Sequence, residues 1–63
     1  MDLQQAADEA MAYLDSVGVA AEYTISNHYL TIDTDDVSFT VNKNASSSMI
    51  GKFKLQYPQK SPN

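Results

Sequence analysis

Eight carboxylates precede Val37 in this 63-residue chain: Asp2, Asp8, Glu9, Asp15, Glu22, Asp33, Asp35 and Asp36. Carboxylate oxygens suit hard cations when they converge, and basic protein surfaces when they stay in water. On a helical wheel Asp8 and Asp15 share one flank, two turns apart, while Asp2 and Glu9 share the other. The plain reading is a solvated face with acids near the positive end of a helix, and the sharper one is a cation site. That site needs help from a neighbouring strand, and Glu22 could supply it. Other chemistry is poorly provided for. The single histidine, His28, has no second imidazole and no thiolate to join it, because the chain holds no cysteine, so zinc and iron–sulfur ligation are not expected. Ser46, Ser47 and Ser48 offer hydroxyls without a base or an orienting acid, and two glycines make no phosphate-cradling loop. The expectation is a protein that is not an enzyme.

All four lysines, Lys43, Lys52, Lys54 and Lys60, follow Val37, so a net charge of −4 divides into formal charges of −8 and +4. An acidic first half repels phosphate backbones and attracts basic protein patches, which argues against nucleic acid as the main ligand. Four lysines without an arginine fall short of a nucleic-acid footprint. No apolar run reaches membrane-spanning length, and Asp2 stands where a secretory signal would carry basic residues.

The elements that must position these groups follow from periodicity. Asp2 can cap a helix, with Gln5 three residues on, and Leu3, Ala7, Ala10, Met11, Leu14 and Val17 recur at helical spacing until Gly18. The spacing predicts a helix over 3–17, with Ala6 and Tyr13 at the edge of its buried stripe. Alternation then predicts strands. Ala21, Tyr23 and Ile25 alternate against Glu22, Thr24 and Ser26, and Leu30 and Ile32 against Thr31 and Asp33. Val37, Phe39 and Val41 alternate against Ser38, Thr40 and Asn42. Ser26-Asn27-His28 and Thr34-Asp35-Asp36 read as turns. Lys52 to Tyr57 alternates again and reads as a fourth strand, after a polar loop from Asn44 to Ser48 and before Pro58. The expected fold is α+β: one N-terminal helix packed on a three- to four-stranded antiparallel meander, in the order α-β-β-β-β. It forms a single domain over 1–57 with a flexible tail over 58–63. The predicted core is Leu3, Ala7, Ala10, Met11, Leu14, Tyr23, Ile25, Leu30, Ile32, Val37, Phe39, Val41, Phe53 and Leu55. One helix rarely covers four strands, so a homodimer through a sheet edge or face, or a partner that completes the fold, is expected.

Three segments, ADEAMAYLDSV, ISNHYLTID and FTVNKN, make the chain resemble the amino-terminal half of the frataxin family, in a divergent or truncated form. The last is the most specific. Frataxins show Asn-Lys-Gln after a hydrophobic pair, and here Val41-Asn42-Lys43-Asn44 keeps the Asn-Lys. The family's tryptophan beyond that segment is lacking, with Gly51 at about its place. The resemblance implies weak iron binding through Asp8, Glu9 and Asp15 with Glu22 on the strand. It also implies assistance to iron–sulfur cluster assembly on a cysteine desulfurase and scaffold complex, contacted through Asn42, Lys43 and Asn44. No other cofactor is implied. The alternative is a small acidic interaction or inhibitor module of the phage type, mimicking nucleic-acid charge to bind a basic protein surface. A structural mini-domain without a ligand is a third. The expected location is the cytoplasm, or the mitochondrial matrix for a processed eukaryotic relative.

Overall fold

Asp2 starts the first element by accepting the Gln5 backbone N–H at 2.7 Å on its Oδ1, and helix α1 runs over Leu3–Ser16. The computed structural model describes residues 2–59. Leu3, Ala6, Ala7, Ala10 and Leu14 form the buried stripe of α1, and the alanines let the helix lie close to what it covers. Gly18 ends the turn with a φ of 76°, a conformation that costs a side chain with a Cβ, and the Val19 N–H closes back on the Leu14 carbonyl at 2.9 Å.

Three strands follow, β1 (Ala21–Ile25), β2 (Tyr29–Thr34) and β3 (Ser38–Asn42), in an antiparallel sheet with β2 at its centre. Ile25, Leu30 and Val41 stand in one cross-strand row, and Tyr23, Ile32 and Phe39 in the next. These rows face the helices. The intervening rows, Thr24-Thr31-Thr40 and Glu22-Asp33-Ser38, face away, as the period of two requires. The β2–β3 turn is held by Thr34, whose hydroxyl accepts the Val37 N–H at 3.0 Å and the Asp36 N–H at 3.2 Å.

After β3 the chain departs from the sequence-based expectation. Asn42 accepts the Ala45 N–H at 2.9 Å and caps a 3-10 turn, Lys43–Ala45, and this leads into a second helix, α2, over Ser48–Gln56. The predicted polar loop therefore carries the 3-10 turn and the approach to α2. The predicted fourth strand from Lys52 to Tyr57 is the body of α2 and its C-cap. Phe53, Leu55 and Tyr57 fit a period of two, yet Met49, Phe53 and Tyr57 fit a helical period equally well. The helix wins because it brings Met49 and Phe53 to full burial and leaves Leu55, 85% exposed, on the far side. The order is thus α-β-β-β-α. The α+β class and the meander stand, with three strands, and the second helix supplies cover that a single helix lacks.

Both helices lie on one sheet face. The core joins the α1 stripe to Leu30, Ile32, Val41, Met49 and Phe53, flanked by half-buried Met11, Tyr13, Val19, Ala21, Val37, Phe39 and Tyr57. Phe53 meets Phe39 edge-on, with centroids 5.0 Å apart, and stacks on Tyr57 at 6.4 Å. Tyr13 donates its hydroxyl to the Tyr57 carbonyl at 2.6 Å, so the last turn of α1 is tied to the end of α2. Of the predicted core, Tyr23, Ile25 and Leu55 are instead exposed, while Ala6 and Met49 are buried. Tyr23 and Ile25 point to the helical side but lie on the edge strand, where α1 covers them only in part. Pro58 and Gln59 follow outside regular structure, and most of the predicted tail, residues 60–63, lies outside the described residues.

Candidate functional site

The carboxylates divide between two surfaces that meet at strand β1. Asp8 and Asp15 stand on the flank of α1 nearest that strand, as the helical period requires. Gln4 fixes the arrangement by donating its side-chain amide both to Asp8 Oδ1 at 2.9 Å and to the Tyr23 hydroxyl at 3.1 Å. Glu9 lies on the opposite flank of the helix and is half buried. Since Tyr23 faces the helical layer, its neighbour Glu22 faces the other side of the sheet. Glu22 sits directly across from Asp33 in the strand register, and Asp35 and Asp36 continue this acidic end into the β2–β3 turn.

The four residues Asp8, Glu9, Asp15 and Glu22 are therefore spread over two helix flanks and the far face of the sheet. Among the described residues no group of three or more His, Cys, Asp or Glu side chains is arranged to hold a metal ion. Asn42, Lys43 and Asn44 are exposed at the end of β3, where Asn42 caps the 3-10 turn and the Lys43 N–H donates to the His28 carbonyl at 2.8 Å. His28 belongs to the exposed β1–β2 turn, and no ion pair joins it to a carboxylate among the described residues.

The outer sheet face is polar throughout. Thr31 and Thr40 hydroxyls meet at 2.9 Å, and the Ser38 hydroxyl donates to the Asp33 carboxylate. Tyr29, 51% exposed, stands opposite Asn42 at the other end. The opposed Glu22 and Asp33 are like charges in register, an arrangement that is unfavourable in isolation. Among the described residues no lysine neutralises them. Lys52 Nζ lies 5.8 Å from the centroid of Phe39 and Lys54 Nζ 5.8 Å from that of Tyr13, both on the helical side. No ion pair joins a lysine to a carboxylate among the described residues.

Two shallow depressions mark the same end of the molecule. One is lined by Ala20, Ala21, Glu22, Asp33, Thr34 and Asp35, the other by Ser16, Val17, Val19, Tyr57, Pro58 and Gln59. Sequence reasoning counted Asp33, Asp35 and Asp36 without placing them in the site. The signal that Glu22 opposes Asp33 lay in the alternation, since pairing Ile25 with Leu30 across the Ser26–Tyr29 turn fixes every later pair. No protein-family model, no curated protein and no solved structure matches the chain. No helix among the described residues is long and apolar enough to cross a membrane.

Proposed function

We propose that this chain is a small acidic docking protein, without chemistry of its own, that binds a basic protein surface. The observation that carries the reading is the opposed Glu22–Asp33 pair on the outer sheet face, with no lysine paired to it among the described residues while the lysines of α2 lie over aromatic rings on the other side. A cationic partner relieves that repulsion, and Asp8 and Asp15 extend the same negative field along the α1 flank. On the frataxin resemblance the basic surface belongs to a desulfurase and scaffold complex, and the same carboxylates hold iron. Their separation over two helix flanks and the far sheet face favours docking over metal holding. On the inhibitor reading the basic surface belongs to a nucleic-acid enzyme.

The test is capture from cell lysate on the immobilised chain, beside a variant carrying Asp8→Asn, Asp15→Asn, Glu22→Gln and Asp33→Asn, followed by reconstitution with the captured protein and native mass spectrometry. The expected result is a stoichiometric complex with a protein of basic surface, weakened by salt and lost in the variant. Capture that is indifferent to both would overturn the docking reading. Iron titration followed by NMR broadening separates the metal reading, because only that one requires broadening localised to Asp8, Glu9, Asp15 and Glu22.

A further inference from the structure

The free edge of β1 is open and framed by charge. The Ser26 N–H donates to the Tyr29 carbonyl at 2.9 Å, so Ser26, and by alternation Thr24 and Glu22, direct their backbone groups to β2. The Thr34 N–H donates to the Val37 carbonyl at 2.8 Å, so Thr34 turns toward β3 and leaves its other partner, Ala21, unbonded on the β2 side. Both bonds give the same parity. Ala21, Tyr23 and Ile25 present their N–H and C=O groups outward, a row of three donors and three acceptors with no strand beside it among the described residues.

The strand is short and carries one charge, Glu22, on its outer face. It has no proline, lysine or glycine, and two large side chains, Tyr23 at 40% and Ile25 at 38% exposure, line its helical side. The β3 edge differs, since Phe39 and Val41 beside it are covered by α2 and Lys52 reaches over Phe39. What frames β1 is negative on both sides: Asp8 and Asp15 on the α1 flank, Glu22 on the outer face. A second copy of this chain would bring the same carboxylates against themselves, so charge selects a different occupant.

We infer that the β1 edge receives an extended segment of a basic partner as a fourth strand, with apolar side chains against Tyr23 and Ile25 alternating with lysine or arginine toward Glu22 and the acidic outer row. This rests on the docking reading and specifies its mode. Backbone pairing supplies the affinity and the alternating side chains the selectivity. In the antiparallel arrangement the apolar residues of the incoming strand lie directly opposite Ala21, Tyr23 and Ile25, and their own N–H groups complete the ladder.

The experiment is an NMR titration of the full chain with a blocked heptapeptide of alternating lysine and valine, beside the same peptide N-methylated at its valines. Methylation removes the pairing donors and keeps the charge. The expected result is shifts and slowed amide exchange centred on Ala21, Tyr23 and Ile25, with affinity down about tenfold or more for the methylated peptide, the equivalent of one or two hydrogen bonds. Glu22→Gln, on the exposed face, should weaken the unmodified peptide severalfold without altering the free spectrum elsewhere. Equal binding of the two peptides, or shifts confined to the outer face, overturns strand addition and leaves charge docking standing. Protection of the same amides in a dimer of the chain alone also overturns it, because the occupant would then be a second copy. Absence of any shift at millimolar peptide overturns it as well, whereas the docking reading falls only if capture by the intact chain fails too.

Discussion

Tyr57 does three jobs at once. Its carbonyl receives the Tyr13 hydroxyl at 2.6 Å, its own hydroxyl meets Thr34 Oγ1 at 2.8 Å and Asp36 Oδ2 at 3.2 Å, and its ring stacks on Phe53. It therefore joins α1, the β2–β3 turn and α2. Tyr57→Phe keeps the ring and removes the hydroxyl bonds, for an expected loss of about 1 kcal/mol and a melting point lower by roughly 4–8 °C. Thermal unfolding followed by circular dichroism reads this directly. Phe53→Ala is a harsher change. Phe53 is fully buried between Phe39 and Tyr57, so the cavity costs about 3–5 kcal/mol, comparable to the whole stability of so small a domain. The variant should show no cooperative melt at ambient temperature, and a melting point near that of the parent would show that α2 is not seated as described.

At the scale of elements, the two glycines make opposite predictions. Gly51 lies in α2, exposed, and a Cβ built there meets nothing within 4 Å. Gly51→Ala should stabilise the helix by about 0.5–1 kcal/mol, visible as a higher denaturant midpoint at unchanged slope. Gly18 also has space around it, but its φ of 76° does not suit alanine, so Gly18→Ala should destabilise by about 1 kcal/mol. The elements also show what could be read from the chain alone. Helix α1, its Asp2 cap, the Gly18 stop and the two hairpins were legible because their apolar spacing matched one period and their turns had turn residues. Helix α2 was not, since Phe53-Lys54-Leu55-Gln56-Tyr57 is too short to separate the two periods. Only the need to cover β3 decides between them. The exposure of Tyr23 and Ile25 was equally hidden, because alternation gives a side chain's direction and not how much of it the helix above covers. For the site, the grouping of Asp8 with Asp15 followed from the wheel. The placing of Glu22 on the far face needed the register.

The whole molecule is an acidic body with uneven charge, and repulsion among its carboxylates works against the folded state. Raising salt from about 10 mM to about 150 mM shortens the screening length from roughly 30 Å to roughly 8 Å. The melting point of the free chain should rise over that range, while the same change should weaken a complex with a basic partner. Opposite signs in the two measurements would mark the carboxylates as kept for recognition. A melting point that falls with salt would mean that attraction between the lysine-bearing helix and the acids, rather than repulsion, dominates the field of the free chain.

The contact between Tyr13 and Tyr57 joins residues 44 apart in sequence, near the two extremities of what is described. α1 and the meander precede α2 in the chain, and until α2 is added Leu30, Ile32 and Val41 are only partly roofed. Native packing then waits on α2 to seat against β3 and α1. A chain truncated before Met49 would hold its apolar side open to chaperones, and the arrival of Met49 and Phe53 would be the event that lets it close.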